Sequence, residues 1–149
     1  MRYMLSVNGR EFPVDTAEEL IRHFELARQE QYAELWLAQK LDPSQKQGGE
    51  FAYRLLGLNP PWDNALMGTL INGGRATLVF EDEDDHSFHA FNPNYDGPEG
   101  EKVLFFLGNR QRDESPAEEC LPVEQALRAF LFFYEAGDKP GWVHWRKDA

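Results

Sequence analysis

The stretch Leu121–Trp145, LPVEQALRAFLFFYEAGDKPGWVHW, carries the densest structural signals in this chain. Leu127, Phe130, Leu131 and Tyr134 follow an i, i+3, i+4, i+7 spacing, and Ala126 and Phe133 widen the stripe, which predicts an amphipathic helix. Pro122 falls where a first-turn proline is tolerated, because the early amide hydrogens of a helix lack intrahelical partners. Gly137 is placed to close the helix in the left-handed conformation, and Pro140 prevents a restart. Trp142 to Trp145 then reads as a short strand. So wide an apolar face requires a sheet to cover it.

Working outward, size and charge limit what that sheet belongs to. A chain of 149 residues fits one domain with a single core. Its 42% hydrophobic and 13% aromatic content argues against global disorder. A formal net charge of −11 disfavours nucleic acid and anionic membranes as partners and favours a basic one. The single cysteine, Cys120, allows no intrachain disulfide and suits a reducing compartment. The amino terminus MRYMLSVNGREF lacks a signal-peptide core, and no apolar run is long enough to span a bilayer. The expectation is a soluble, cytoplasmic protein.

Upstream of the closing stretch, Arg2 to Val14 reads as a hairpin: Tyr3, Leu5 and Val7 alternate with polar residues, and Asn8-Gly9 suits a type I′ turn. Pro13 cannot donate to a ladder, so its strand is expected to lie at an edge or to end there. Thr16-Ala17-Glu18-Glu19 has capping-box form and opens a helix expected to reach about Glu30, with Glu19 turned back to the N-cap. Tyr32 to Leu41 suits either an extended helix or a strand. A strand is preferred, because the apolar face drifts at Glu30-Gln31; Ala33, Leu35 and Leu37 then share one side and Trp36 takes the other. Asp42 to Asn64 is breaker-rich and irregular around Phe51 to Leu56. Leu66–Ile71 and Arg75–Phe80 flank the hairpin signal Asn72-Gly73-Gly74, and Ser87 to Phe91 supplies another strand. Lys102 to Leu107, almost continuously apolar, is expected in the middle of the sheet, with Gly108 to Glu119 looping back. Together these elements predict a single α+β domain: a mostly antiparallel sheet of about five to seven strands covered on one face by two main helices.

The most unusual feature is Glu81-Asp82-Glu83-Asp84-Asp85. With Asp96, Glu99 and Glu101 it places eight acids and no Lys or Arg between positions 81 and 101. One reading is a solvated loop. The other is a surface whose carboxylates mimic a phosphate backbone and engage a basic cleft, for which Glu81 to Asp85 and Asp96 are the candidate contacts. Trp62, held in a loop by the prolines of NPPWDN, and Trp142 are candidate aromatic anchors. Catalysis and cofactor binding find little support. His86 and His89 are offset by three, which on one strand separates them onto opposite faces, and zinc and EF-hand spacings are lacking. Cys120 is surrounded by glutamates that oppose a thiolate, and the Gly48-Gly49 and Gly73-Gly74 pairs sit in no phosphate-binding frame. No catalytic, metal or cofactor residues are therefore expected.

The closing stretch resembles the Imm1 family of bacterial immunity proteins, which neutralise toxins delivered between competing bacteria. Ala126, Phe130, Gly137, Pro140, Val143 and Trp145 occupy the places of that family's terminal helix, glycine, proline and tryptophan-ended strand. The resemblance implies a non-catalytic inhibitor of a toxin domain, often a nucleic-acid deaminase or nuclease. Two other classes compete with it: an acidic adaptor or regulatory module that binds another protein, and a hydrolase using carboxylates that no pattern selects.

Overall fold

The structure, a computed structural model, describes residues 2–40 and 63–148. Trp62, the Phe51–Leu56 segment and nearly all of the expected irregular connection lie outside the described residues.

The chain opens with β1 (Arg2–Val7) and β2 (Arg10–Val14), joined through Asn8 and Gly9 at φ 50° and 87°. Positive φ at both positions is what a type I′ turn needs, and asparagine and glycine supply it cheaply. Helix α1 (Ala17–Ala27) follows, capped by the Thr16 hydroxyl, which accepts the Glu19 amide hydrogen at 3.2 Å. Glu19 reaches back as expected, but one residue further, accepting from the Asp15 amide at 3.1 Å. The helix stops at Ala27 rather than Glu30. Next is β3 (Tyr32–Lys40), whose strict alternation buries Ala33, Leu35 and Leu37 and leaves Trp36 half-buried on the opposite face. The strand reading of this ambiguous stretch is correct.

After β4 (Asp63–Asn72) the chain turns through Gly73-Gly74 into β5 (Arg75–Ala76) and then β6 (Val79–Glu81). The expected single strand Arg75–Phe80 is thus interrupted at Thr77-Leu78, while its register against β4 is unchanged. The interruption is held by side chains: the Thr69 hydroxyl donates to the Thr77 carbonyl at 2.6 Å, and the Leu70 amide donates to the Thr77 hydroxyl at 3.1 Å. A tight acidic turn leads to β7 (Ser87–Ala90).

β8 (Lys102–Phe106) and β9 (Arg112–Pro116) then form a separate two-stranded antiparallel sheet. This corrects two expectations. Lys102 to Leu107 is not central in the main sheet, and Gly108 to Glu119 is not merely a loop. The apolar run is used differently: Val103 and Phe105 point into a small satellite cluster with Ala117, Leu70, Tyr95 and Cys120, while Leu104 and Phe106 are only half-buried. A single 3₁₀ turn (Ala117–Glu119) and the two-residue β10 (Leu121–Pro122) lead to helix α2 (Val123–Ala136). Gly137, at φ 77°, closes α2 in the left-handed conformation as expected. The final strand, β11 (Trp145–Lys147), begins where the expected strand was to end; Trp142, Val143 and His144 precede it.

The main sheet runs in the order β11-β7-β6-β4-β3-β1-β2, with β5 paired to β4 and β10 to β5, and every pairing is antiparallel. β2, with Pro13, lies at an edge as anticipated. α1 and α2 cover one face, giving the α+β architecture, and the core between them is aromatic. Phe24 meets Phe130 edge-on at 5.5 Å, and Phe80 meets Phe133 at 5.6 Å. The fully buried face of α2 is Val123, Ala126, Ala129, Phe130 and Phe133, so Leu127, Leu131 and Tyr134 sit at its margin. Ala126 and Ala129 lie on that face, which is displaced from the expected stripe.

A candidate partner-binding face

Among the described residues, the opposite face of the main sheet is covered in part by the β8–β9 hairpin. Polar latches hold that hairpin down. The Asn72 side-chain amide donates to the Leu104 carbonyl at 2.8 Å, and the Gly108 amide donates to Glu34 Oε1 at 3.1 Å. Tyr32 meets Phe106 edge-on at 4.8 Å. Gly108 is a close approach: a Cβ there would stand 2.7 Å from Asn8 Cα, so the tip of the hairpin rests directly on the β1–β2 turn.

Beyond the hairpin no other described element covers the sheet. Strand register lines up Ser6, Trp36, Gly68, Val79, His89 and Arg146 in one row across it. Gly68 matters here because the Trp36 indole lies over it; a Cβ at position 68 would be 2.4 Å from the ring. The indole is thereby held against the sheet, with Nε1 donating to Glu34 Oε2 at 3.3 Å. It separates two hollows. One, about 230 Å³, is bordered by Met4, Glu11, Lys40 and Leu66. The other, about 260 Å³, is a cleft between sheet and hairpin, with Trp36, Gly68 and Val79 on its floor. Its walls bring three carboxylates together from distant parts of the chain, Glu34, Asp113 and Glu119. Among the described residues no Lys or Arg lines it.

His89 also borders the cleft, but its ring is occupied. Nε2 is 3.3 Å from Glu119 Oε1, and Nδ1 makes a short contact with Asp148. It ties β7 to the 3₁₀ turn and to the chain end after β11, and no nucleophile stands within the hydrogen bonds described for it. His86 has different partners, pairing with Asp82 at 3.1 Å.

The predicted acidic turn lies at one end of the β6–β7 hairpin. Asp82 organises it: Oδ1 accepts the amides of Asp84 and His86, both at 2.9 Å. Burial pulls the Asp82 carboxyl upward, but those amides and the His86 ring outweigh it and hold the group below its ordinary range. Asp85 takes φ 63°, a left-handed conformation that aspartate tolerates. Ligand atoms of Asp82, Asp84 and His86 lie within 4.8 Å of one another. Their hydrogen bonds are those that fix the turn, and they define no further coordinating group. Glu81, on the outer face opposite Leu66, and exposed Glu83 complete the turn, which also borders Asn64 and Asp138.

Asp96 is not brought to that turn. It sits at the other end of β7, in a loop anchored by the Asn92 amide on the Glu118 carbonyl (2.7 Å) and by Tyr95, whose hydroxyl donates to Glu101 at 2.7 Å. That bond, chiefly, pushes the Tyr95 hydroxyl up to about 12. Trp142 is elsewhere again. It is 43% exposed and packs under the Arg128 guanidinium of α2, 5.1 Å from the ring centroid, in the helical layer. The turn from Glu81 to Asp85, Asp96 and Trp142 therefore lie in three separate places, and Trp62 is outside the described residues. Sequence reading passed over Trp36 as an anchor, although the alternation in β3 already placed it opposite the core-facing residues.

A family model described as immunity protein Imm1 matches residues 8–147, from the β1–β2 turn to the last residue of β11. The chain belongs to the Imm1 family of immunity proteins. No curated protein matches it. Membership implies that this Imm1 family member binds a toxin. Its helix–glycine–proline–tryptophan ending, read from sequence as the family's mark, is the element that closes the core: Phe130 and Phe133 fill it, Gly137 caps α2, and the Trp145 indole donates to the Pro140 carbonyl at 2.9 Å. No helix among the described residues is long and apolar enough to cross a membrane.

Proposed function

We propose that this Imm1 protein inhibits a nucleic-acid deaminase or nuclease toxin of the same cell by covering its basic active-site cleft with an acidic surface, without turnover and without a cofactor. The observation that carries this reading is the concentration of eight acids and no Lys or Arg between Glu81 and Glu101 in a member of an immunity family. A toxin that acts on nucleic acid must hold phosphates with cations, and a protein carrying carboxylates competes for them. Apart from half-buried Asp82 the acidic turn is exposed, so its charges act at a distance before contact. Asp96, at the far end of β7, extends the same field.

The test uses the cognate toxin domain, to be sought in the gene neighbouring this one. One equivalent of the protein should abolish its activity, and the pair should elute as a stoichiometric complex. Replacing Asp82, Glu83, Asp84 and Asp85 together by Asn and Gln should slow association about tenfold at low salt and much less at high salt, where screening removes the long-range field. Failure of the wild-type protein to bind or inhibit that toxin would sink the reading. Unchanged association of the quadruple variant would reduce the turn to a solvated loop.

A further inference from the structure

We propose that the cleft between the sheet and the β8–β9 hairpin takes one cationic side chain of the toxin, arginine before lysine, and is the anchor that slows dissociation. The inference rests on the toxin-binding reading above and adds to it the site and its chemistry. At about 260 Å³ the cleft falls below the roughly 300 Å³ at which small-molecule pockets begin, and it is open at the surface, which suits a side chain better than a cofactor. Three carboxylates from β3, β9 and the 3₁₀ turn border it, and none of the described lining residues is Lys or Arg to neutralise them.

Two of the three carboxylates already have structural partners, which sets their roles. Glu34 accepts from the Trp36 indole and the Gly108 amide, and Glu119 faces His89. The hydrogen bond recorded for Asp113 is from the neighbouring Glu114 amide, at 3.0 Å, so Asp113 has the most remaining acceptor capacity. The indole of Trp36 adds an aromatic face pinned over Gly68. Guanidinium is the group that uses both features, stacking on an aromatic plane while donating to carboxylates in a fixed fork. Asp113 is exposed, but Glu34 and Glu119 beside it are half-buried, and a guanidinium held among the three in the cleft acts mainly on dissociation, in contrast to the acidic turn.

The experiment measures association and dissociation rates of the full chain with the cognate toxin domain. Asp113→Asn keeps the shape of the cleft and removes one charge; Ser115→Phe keeps the charges and fills the space. Asp113→Asn should speed dissociation about tenfold and Ser115→Phe about a hundredfold, with association changed less than threefold. Circular dichroism melts show whether each variant folds, and Asp113→Asn, an isosteric surface change, serves alone if Ser115→Phe does not. Dissociation within twofold of wild type for Asp113→Asn would overturn a cationic occupant, even if Ser115→Phe weakens the complex. No effect of either would overturn the cleft as anchor while leaving toxin inhibition intact. Lack of binding by the wild-type chain would instead overturn the functional reading itself.

Discussion

The two faces of the main sheet are built on different terms. On the helical face, Phe24, Phe80, Phe130 and Phe133 interlock in a continuous core that reaches from α1 to Trp145. On the other, a hairpin rests over a satellite cluster whose buried members are Val103, Phe105 and Ala117, and its position depends on polar latches. Dispersion and apolar burial grow with the number of packed groups, so the first face carries the stability of the domain. The second, as far as the described residues form it, can be polar and acidic. A protein that must be stable on its own and still present a surface to another protein can divide the tasks in this way.

Core truncation gives the largest expected effect and tests the division directly. Phe130→Ala should cost about 3–5 kcal/mol in a denaturant melt, because it empties a fully buried site between α2 and α1. Phe105 is equally buried. Phe105→Ala should nevertheless act locally, with lost amide-exchange protection confined to β8, β9 and the 3₁₀ turn. A global loss as large as that of Phe130→Ala would show the two regions to be one cooperative unit.

Gly68 offers an intermediate test on the second face. Gly68→Ala should force the Trp36 ring away from the sheet and cost about 1–3 kcal/mol, since the new Cβ would stand 2.4 Å from it. Gly74→Ala, whose Cβ would meet nothing within 4 Å, is the control and should be close to neutral. Equal melting temperatures for the two variants would mean that the indole is not pinned.

The smallest effect concerns pH and belongs to the satellite cluster alone. Burial, chiefly, raises the Cys120 thiol from 9.0 to about 11, with Arg75 opposing and Glu119 assisting. A pKa raised in the folded state contributes stability that is present below the ordinary value and lost as pH rises through the folded one. Cys120 should therefore resist iodoacetamide at pH 8 and become reactive between pH 9.0 and about 11, while the near-ultraviolet signal of the main core stays constant. Rapid alkylation at pH 8 would place the thiol outside the cluster.

Local signals in the chain are fulfilled where one segment contains all the atoms concerned. Asn8-Gly9 makes its turn, Thr16 caps α1, Gly137 ends α2, and the alternation of Ala33, Leu35 and Leu37 makes β3 a strand. The same locality explains the misreadings. Lys102 to Leu107 is apolar enough for a strand buried on both faces, and nothing within it says that its neighbour is β9 rather than the main sheet. That choice is made by Asn72 on Leu104 and by Gly108 against Asn8, contacts between residues far apart in the chain. The candidate site divides likewise. The charge of the acidic turn is legible as composition, whereas the cleft requires Glu34, Asp113 and Glu119 to arrive from three elements.

The amino-acid sequence by itself thus determined the α+β class, the closing helix with its glycine stop, the family resemblance and the sign of the surface charge. These follow from periodicity, backbone preference and residue count, which need no partner segment. Tertiary structure alone decided that the hairpin leaves the main sheet, that the Trp36 ring packs over Gly68, and that an acidic cleft forms beside it. Those outcomes depend on which distant surfaces fit together, and close packing between segments is written in no single stretch of the chain.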